Sequence, residues 1–399
     1  MNLPESERRT RVLLASIVPP RNDNGVRIVM HRHLVERHPF ELHVASNADF
    51  ADDLLIHTVL RLPYLLHRLR KSRFGPRLAP WFRDYENCVW TQMHNREFEK
   101  TIKKFKPQVV LTLAETSLCH IAARAAKRHG IPLAGLFLDW FPVMKGHFGS
   151  AWTRDWLSRR YRRLYNQCDL AFCTSEGMQE FLGPHPNSHV IYPMPGKHAV
   201  PETIFPPKSN KFRLAYVGAA ENFYGGMLRS LLQKAKDQSD LEIIIVGPTG
   251  DWPKGILEEA TKAGVCLGFK PPDEAAKVLA GADALLVVMS FEEEHKLYMQ
   301  TSFTTKMLDY SAFSKPIILW GPDYCAPLRV VKRTGGALVV NSPDAGQVLD
   351  ACRIIGRDAK MRKDLSLKSH ELSQTIFNPD RLQGIFVGQI EKLVNNDRN

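Results

Sequence analysis

The stretch TSFTTKMLDYSAFSKP, residues 301–316, lies between two apolar runs and decides how the second half of the chain is interpreted. The runs before and after it, residues 284–289 and 316–320, each predict a buried strand. The stretch itself predicts a helix that Thr304 or Thr305 caps and that ends before Pro316. A strand–helix–strand unit of this kind belongs to a parallel α/β sheet.

Lys306 and Asp309 are three residues apart, so they share one face of this predicted helix. A helix N-terminus offers free N–H groups, and a lysine in the first turn with a carboxylate one turn later suits a ribosyl diphosphate. The local chemistry alone equally allows an ordinary surface helix with an ion pair between these two residues.

Strands alternate with helices along both halves of the chain, which predicts two doubly wound parallel sheets with right-handed crossovers. The predicted strands of the first half are 11–18, 42–45, 109–114, 133–138, 169–173 and 190–192. Those of the second half are 213–217, 242–246, 265–267, 284–288, 317–319 and 337–339. The predicted helices of the first half include one long polar helix, about 84–105. Because ligands bind outside the carboxyl ends of such strands, the loops with Asn24, Glu115, Asp139 and Ser175 should share one rim.

The domain boundaries follow from composition. Prolines 193, 195, 201, 206 and 207 interrupt the periodic pattern, and we interpret residues 196–211 as an interdomain linker. Residues 1–195 then form the first domain and residues 212–375 the second. Residues 376–399 are predicted to be a C-terminal helix that packs back toward the first domain.

Composition narrows the class of protein. A chain of 399 residues with 44% hydrophobic and 24% charged residues predicts two globular domains. No apolar run is long enough to span a bilayer, and the polar start does not resemble a secretory signal. Seven cysteines without a CxxC motif favour a reducing compartment and argue against a disulfide framework or structural zinc site. We therefore expect a cytoplasmic protein.

Positive charge is concentrated in the first half of the chain. Residues 1–200 carry a net charge of +11 of the total +12, so we expect this half to meet an anionic partner. Basic residues alternate with leucines and aromatics at 61–83, and a second basic helix is predicted at 152–166. Both stretches suit an anionic membrane surface, although core helices with a solvated basic side are the alternative. We expect no nucleic acid, because no nucleic-acid-binding module is visible.

Six motifs, in this order, resemble those of GT-B glycosyltransferases, most closely the family 4 type. They are LFLDWFP (136–142), CDLAFCTSEGMQEFL (168–182), FRLAYVGAA (212–220), LEIIIVGPTGD (241–251), VCLGFKPPDEAAKVLAGADALLVV (265–288) and TTKMLDYSAFSKPI (304–317). The resemblance implies an α/β GT-B fold, with two Rossmann-like domains facing across a cleft. It also implies a retaining, metal-independent transfer of sugar from a nucleotide-sugar, UDP- or GDP-linked, without a separate cofactor.

The resemblance also assigns roles to residues that match the motifs. The donor nucleotide would be bound by Gly218, Gly225, Gly226, Gly268, Phe269, Lys270, Thr304, Thr305, Lys306 and Asp309. Among these, Asp309 would bind the ribose, and Lys306 would stabilise the charge of the leaving diphosphate. Asn24 and Gly25 would close over the transferred sugar. Asp139 lies at the strand end that would border the acceptor and sugar. Independently of the motifs, Glu115, Asp139 and His147 are the candidates to orient the acceptor hydroxyl.

Several positions depart from the family pattern. Thr301 stands where the family carries the first of two acids, and Glu292, Glu293 or Glu294 could supply that carboxylate instead. The stretch 219–226 has no cation where the family often has an arginine and a lysine, and Leu138 is apolar where many relatives are polar. No DxD-type metal pair is placed convincingly.

The sequence therefore predicts a glycosyltransferase that acts on a glycan or lipid-linked acceptor in cell-surface polysaccharide or glycoconjugate synthesis. We expect it in the cytoplasm, peripheral to the inner face of the membrane. Two alternatives stay open: a degenerate GT-B module that binds a nucleotide or polyanion without turnover, and a GT-B nucleotide-sugar epimerase.

Overall fold

The computed structural model describes residues 9–22, 25–47, 55–61, 68–69, 72–93, 95–115, 117–143, 150–196 and 201–396. The chain divides into two compact units. The first contains the chain up to Tyr192 and resumes at Leu382, and the second runs from Pro193 to Arg381. The segment interpreted from sequence as a linker, residues 196–211, thus falls within the second unit.

The first unit is built on one parallel sheet. Among the described residues its strands are β1 (Arg11–Ala15), β2 (Glu41–Ser46), β3 (Ile56–Val59), β4 (Val109–Leu113), β5 (Leu133–Phe137), β6 (Leu170–Cys173) and β7 (Ser188–Val190), in the order β3-β2-β1-β4-β5-β6-β7. The helices are α1 (Gly25–His31), α2 (Ala79–Cys88), α3 (Arg96–Phe105), α4 (Leu118–His129), α5 (Ala151–Gln167) and α6 (Glu176–Leu182). Strands β1 and β4 are fully buried from Val12 and Val109 onward, which places the core at the middle of the sheet.

The second unit repeats the architecture with fewer strands. Among the described residues these are β8 (Phe212–Val217), β9 (Leu241–Val246), β10 (Ala284–Val288), β11 (Ile317–Trp320) and β12 (Leu338–Val340), in the order β12-β11-β10-β8-β9. The helices are α7 (Gly225–Ala235), α8 (Lys254–Lys262), α9 (Pro272–Gly281), α10 (Lys296–Thr301), α11 (Thr305–Ser311), α12 (Ala326–Thr334), α13 (Gly346–Arg357) and α14 (Ala359–Gln374). The pairings between these described strands are all parallel.

The final helix, α15 (Pro379–Asn396), packs on the first unit. Gln383 Oε1 accepts from the His33 Nδ1–H at 2.9 Å, and Gln383 Nε2 donates to the His33 carbonyl at 3.0 Å. The Phe386 ring lies 4.7 Å from the His33 ring and 5.2 Å from the Phe172 ring. His33 is in a π-helical turn, Arg32–Glu36, that continues α1, and burial lowers its pKa to about 4. A neutral imidazole therefore joins the last helix to this unit.

Two predictions about secondary structure were wrong. The helix expected at about 84–105 is two helices, α2 and α3, because Asn95 caps a new helix by accepting from Phe98 N–H. The strand expected at 265–267 is a single bridge between Ile245 and Cys266. Helix α11 ends at Ser311, and thus before Pro316 as predicted, and Ser314 adopts a positive φ of 53°. Strand β3 was not predicted; its first residue, Ile56, is exposed, and the other three are half-buried.

The basic stretches are only partly described, since residues 62–67, 70 and 71 lie outside the described ranges. Where the structure does describe them, Phe74, Trp81 and Trp152 are 45%, 51% and 63% exposed. The Arg73 guanidinium lies 4.8 Å from the Phe74 ring centroid. In the described part of the chain, no helix combines the length and apolar character needed to cross a bilayer.

Candidate functional site

The second unit has a switch in strand order between β8 and β10. From β8 the chain moves to β9 on one side, whereas β10, β11 and β12 follow on the other. Ligands of open α/β sheets bind at the carboxyl ends of the strands at such a point. Gly218 directly follows β8 with a φ of +144°, and Gly247 directly follows β9 with a φ of +139°. A Cβ on Gly247 would collide with the Gly218 carbonyl, so these two strand ends approach closely.

Helix α11 is fixed to this switch point by a tyrosine. The Tyr310 hydroxyl accepts from Val217 N–H at 2.8 Å and donates to the Val217 carbonyl at 2.9 Å. Tyr310 is buried, and its hydroxyl keeps the proton that this arrangement needs, because burial raises the pKa of Tyr310 well above its usual range. The first turn of α11, which carries Lys306, therefore lies at the end of β8.

Lys306 is enclosed by the end of β8 and by aromatic rings. Its aliphatic stem occupies the space that a Cβ on Gly218 would take. Its Nζ lies 5.3 Å from the Tyr216 ring centroid and 4.9 Å from the Tyr224 ring centroid. Burial lowers the pKa of Lys306 to about 8, against a smaller opposing attraction from Asp309. The structure thus places a partly desolvated ammonium group at the switch point.

Asp309 has one carboxylate oxygen engaged by the chain itself. Its Oδ1 accepts from Gly196 N–H at 2.8 Å, and Gly196 precedes a segment outside the described residues. Thr304 caps the helix weakly, with its hydroxyl oxygen 3.4 Å from Lys306 N. Thr301, which replaces the family's acid, is buried and donates its hydroxyl to the Leu297 carbonyl at 2.8 Å. Thr301 therefore serves the end of α10.

The loop between Gly218 and α7 is held by two acidic residues. Glu221 accepts from Gly250 N–H at 2.7 Å, and Asp251 accepts from Asn222 N–H at 2.8 Å. These reciprocal bonds tie the loops that follow β8 and β9. A Cβ on Gly225 would lie 2.9 Å from Asp251 Oδ1, so a carboxylate already borders the start of α7.

A cation that the sequence analysis missed lies one turn into α7. Arg229 Nη1 is 3.6 Å from Asp251 Oδ1, and Nη2 would lie 4.0 Å from a Cβ on Gly226. The guanidinium thus lies close to Gly226 and to the Asp251 carboxylate that borders Gly225. The helical spacing from Gly225 to Arg229 was the signal in the sequence, because residues four apart share one face.

The predicted base-binding loop lies at the same edge of the sheet. Gly268 has a φ of +64°, and its carbonyl accepts from Gly247 N–H at 2.9 Å. Phe269 is 76% exposed. Lys270 pairs with Glu274 on α9 at 3.4 Å. The structure therefore brings the Gly268 backbone close to the end of β9, while the side chains of the next two residues point to solvent and to α9.

The acidic loop before α10 contains the one group of potential metal ligands found among the described residues. Ligand atoms of Glu292, Glu294 and His295 lie within 4.8 Å of one another. His295 Nδ1 also bonds Ser290 Oγ at 2.9 Å, and both carboxylates are exposed. His295 Nδ1 lies 3.3 Å from Glu292 Oε2 and His295 Nε2 lies 3.4 Å from Glu294 Oε1, so both carboxylates contact the imidazole.

The first unit has its own switch in strand order, between β1 and β4. Glu115 follows β4 there, and its Oε1 lies 2.8 Å from Ser16 Oγ and 3.1 Å from Ile17 N at the end of β1. Gly25 begins α1 with a φ of +48° and has open space around it. The predicted sugar- and acceptor-side residues Asn24 and His147 lie outside the described residues.

Asp139 follows β5 on the same rim and is partly buried. Its backbone carbonyl accepts from Tyr161 OH at 2.8 Å, which joins the end of β5 to α5. The neighbouring Trp140 is buried against the Tyr161 and Phe181 rings at 4.8 and 4.7 Å. Ser175, the last predicted rim residue, caps α6 by accepting from Met178 N–H at 3.0 Å, as expected from the sequence.

Comparison with known proteins agrees with this arrangement. Residues 29–194 match the model of Glycosyltransferase Family 4. HepE from Anabaena, solved with UDP and glucose, superposes with a TM-score of 0.66 at 13% identity over 96% of this chain and 100% of HepE. Sucrose-phosphate synthase from Thermosynechococcus elongatus gives 0.66 at 12% identity over 98% of this chain and 100% of the synthase.

The same fold extends to another activity. A protein from Listeria monocytogenes described as a UDP-N-acetylglucosamine 2-epimerase gives a TM-score of 0.55 at 12% identity, over 97% of each chain. A search of curated protein sequences returned no match. The predicted fold class is confirmed: the chain has the GT-B fold, and residues 29–194 are similar to the family 4 model.

Proposed function

We propose that the chain is a retaining, metal-independent glycosyltransferase that moves a sugar from a UDP- or GDP-linked donor to a glycan or lipid-linked acceptor. The observation that carries the proposal is the enclosure of Lys306 at the switch point between β8 and β10, against Gly218, Tyr216 and Tyr224. A desolvated cation at this position is suited to a diphosphate.

In this proposal Lys306 stabilises the charge that develops on the diphosphate as the glycosidic bond breaks. Its ammonium is already positioned and partly stripped of water, so little reorganisation is needed at the transition state. The N–H groups of Gly225, Gly226 and Thr305 would add to this stabilisation. Asp309 would bind the ribose, and Gly268, Phe269 and Lys270 would border the base.

On the acceptor side, Asp139 would orient the attacking hydroxyl, and Asn24, Gly25 and His147 would border the transferred sugar and the acceptor. Retention follows if the leaving phosphate itself takes the proton of the acceptor hydroxyl on the face where the donor bond breaks. A leaving diphosphate held by Lys306 provides that acceptor oxygen without a metal ion. In this proposal the general base is therefore the leaving phosphate of the substrate itself.

The acceptor class rests on charge and exposure in the first unit. Residues 1–200 carry a net charge of +11, and Phe74, Trp81 and Trp152 are solvent-exposed in stretches rich in arginine. Such surfaces bind anionic membranes through combined electrostatic and apolar contacts. We propose that the protein acts peripherally at the cytoplasmic membrane face, in cell-surface polysaccharide or glycoconjugate synthesis.

The proposal is tested by thermal shift and donor hydrolysis with UDP, GDP, ADP and TDP and their sugars. At least one nucleotide should stabilise the protein, and Lys306→Met should abolish that shift. Lys254→Met is the matched control, because Lys254 lies on the same unit but is highly exposed and pairs with Glu258 at 3.7 Å. If no nucleotide stabilises the protein, the donor site is wrong.

Two observations favour a binding module without turnover as the second candidate. Thr301 is committed to the end of α10, and one oxygen of Asp309 is engaged by Gly196. A protein that binds a nucleotide but neither hydrolyses nor transfers from any donor would support this candidate. An epimerase would instead convert UDP-N-acetylglucosamine into its 2-epimer in the absence of an acceptor.

A further inference from the structure

Glu115 is a buried carboxyl with an unequal environment for its two oxygens. The residue is 3% exposed at the end of β4. Its Oε1 lies 2.8 Å from Ser16 Oγ and accepts from Ile17 N–H at 3.1 Å. Its Oε2 is buried without a hydrogen-bond partner in the described structure. If Glu115 were ionised, the negative charge on Oε2 would be buried without a hydrogen-bond donor, which is energetically costly.

The hydrogen-bond contacts of Ser16 Oγ indicate whether Glu115 carries a proton. Ser16 Oγ lies 2.7 Å from the Val18 carbonyl oxygen and 2.8 Å from Glu115 Oε1, and it accepts from Val18 N–H at 3.2 Å. A hydroxyl has one proton to donate. With an ionised Glu115, one of the two short oxygen–oxygen contacts would therefore contain no hydrogen. When Glu115 Oε1 carries a proton, each of these two oxygen–oxygen contacts contains one hydrogen atom.

The surroundings are consistent with a neutral group. Burial raises the pKa of Glu115 to about 8, although the Ser16 and Ile17 contacts oppose the rise. The titratable neighbours that sense Glu115 from the packed helices are Cys119 on α4 and Tyr161 on α5. Burial raises the pKa of both, so both are neutral. Among the described residues no ion pair involves Glu115.

We propose that Glu115 is a protonated carboxyl that donates to Ser16 Oγ and thereby locks the Ser16–Val18 turn. Ser16 then donates its own proton to the Val18 carbonyl, and the turn sets the path of the chain toward Gly25. Glu115 is on this account a positioning residue that does not touch the acceptor. That the loop serves the transferred sugar rests on the proposed function; the protonation and the turn do not.

Loss of the proton to solvent has a defined structural result. The Ser16 hydroxyl would rotate toward the new carboxylate, and the Val18 carbonyl would lose its donor. The turn would then be held only by the Val18 N–H contact with Ser16 Oγ. The chain over residues 17–22 should therefore exchange its amide hydrogens faster once Glu115 ionises.

Infrared spectroscopy of protein labelled with ¹³C-glutamate tests the protonation directly. At pH 6.5, the difference spectrum between wild type and Glu115→Gln should show the loss of one carboxylic-acid C=O band, and this band should vanish from wild type as the pH rises through about 8. Loss of a carboxylate band in its place would overturn the proposal. If Glu115→Gln does not fold, Ser16→Ala serves instead and should shift the same band to higher frequency; an unshifted spectrum would again overturn it.

Hydrogen exchange tests the turn, with Thr112→Val as the matched control. Thr112 lies on β4 beside β1 and donates to the Ala15 carbonyl at 2.9 Å, so its replacement removes one buried bond without touching the turn. Exchange of the peptide covering residues 17–22 should accelerate at least about threefold in Ser16→Ala and Glu115→Gln but stay at the wild-type rate in Thr112→Val. Equal rates in all four proteins would contradict the proposed role of Glu115. Neither experiment depends on a nucleotide-sugar, so their failure is distinct from failure of the proposed function.

Discussion

Asp309 Oδ1 accepts a 2.8 Å hydrogen bond from the backbone N–H of Gly196, a residue 113 positions earlier in the chain. The carboxylate expected to bind the ribose thus already fixes the segment that begins the second unit. A ribose hydroxyl would share this carboxylate with Gly196 or displace it. If Asp309 binds the ribose as proposed, this hydrogen bond joins donor binding to the path of the chain at the start of the unit.

Replacing Asp309 separates these two tasks. Asp309→Asn keeps an oxygen for Gly196 N–H but loses the charge, so nucleotide affinity should fall about tenfold while the melting temperature changes by less than about 2 °C. Asp309→Ala removes both interactions and should lower affinity and melting temperature together. Calorimetric titration and thermal unfolding measure the two effects. Unchanged affinity in both variants would show that Asp309 does not bind the nucleotide.

The lowered pKa of Lys306 predicts how binding depends on pH. Below about pH 8 the amine is charged and affinity for a nucleoside diphosphate should be constant. Above it the free protein holds a neutral amine, so binding must take up a proton and should weaken by up to about tenfold per pH unit. Titrations about one pH unit above this pKa, in two buffers of different ionisation enthalpy, should reveal this proton uptake.

The same titration should be absent from Lys306→Met, which provides the control. The free energy of unfolding should depend on pH in the opposite direction to that expected for a lysine with a raised pKa. Because the folded pKa is lower than the usual 10.5, the neutral amine is favoured in the folded state. Stability from this group is present above pH 10.5 and is lost as the pH falls through about 8. An affinity that is equal on both sides of this lowered pKa would contradict the placement of Lys306 against the diphosphate.

Gly218→Ala should remove nucleotide binding by displacing Lys306. The new Cβ would occupy the space of the lysine stem, and a φ of +144° is strained for alanine. We expect a loss of about 1–3 kcal/mol in the free energy of unfolding and loss of the nucleotide-induced thermal shift.

Gly264→Ala is the matched control for Gly218→Ala. Gly264 also has a positive φ, +71°, but a Cβ there meets nothing within 4 Å. This variant should therefore lose about 1–2 kcal/mol of stability from backbone strain alone and keep its response to nucleotide. A normal nucleotide response in Gly218→Ala would show that Lys306 does not need this space.

Removing the buried guanidinium of Arg213 should cost far more stability than removing an exposed charge from the same unit. Arg213 is 1% exposed, and it donates at 2.7 Å to Glu242 and to the carbonyls of Pro206 and Pro207. Arg213→Met should cost about 3–5 kcal/mol of unfolding free energy, because Glu242 and two carbonyls lose their donor. Lys208→Met is the control: its exposed pair with Asp283 should contribute less than about 1 kcal/mol. Denaturant unfolding would measure both, and equal losses would contradict the argument.

The strands could be predicted well where apolar runs were continuous. The predicted strand at 284–288 matches β10 to the residue, since all five of its residues are buried. The pattern failed for β3, whose four residues are only partly covered and show no clear alternation. The 265–267 run failed for a different reason, because a neighbour on one side supplies only a single bridge at Cys266.

The donor site was predictable in part. The helix cap and the Lys306–Asp309 spacing are local and could be inferred from residues a few positions apart. The contacts of Tyr216 and Tyr224 with Lys306, and of Gly196 with Asp309, join residues far apart in the chain and depend on the order of strands in the sheet.

Other features of the two rims were beyond the reach of local patterns. Arg229 lies just past the stretch 219–226 in which the family pattern predicts a cation. Its spacing from Gly225 is a local signal, but its contact with Asp251 joins two loops and depends on the fold. Protonation of Glu115 depends on a contact with Ser16, a residue 99 positions earlier. Residues 109–115 alone reveal neither the burial of that carboxyl nor the fact that the single Ser16 hydroxyl proton must serve two short oxygen–oxygen contacts.

The Tyr310 hydroxyl forms two hydrogen bonds with the backbone of Val217, as a neighbouring strand would. One phenol hydroxyl satisfies both the donor and the acceptor of a backbone position at the end of β8, a task that an adjacent strand usually performs. These two hydrogen bonds therefore fix the position of α11, the helix that carries Lys306, relative to one residue of β8. Substitutions elsewhere in α11 that keep Tyr310 should therefore leave the helix, and with it Lys306, at the same position relative to β8.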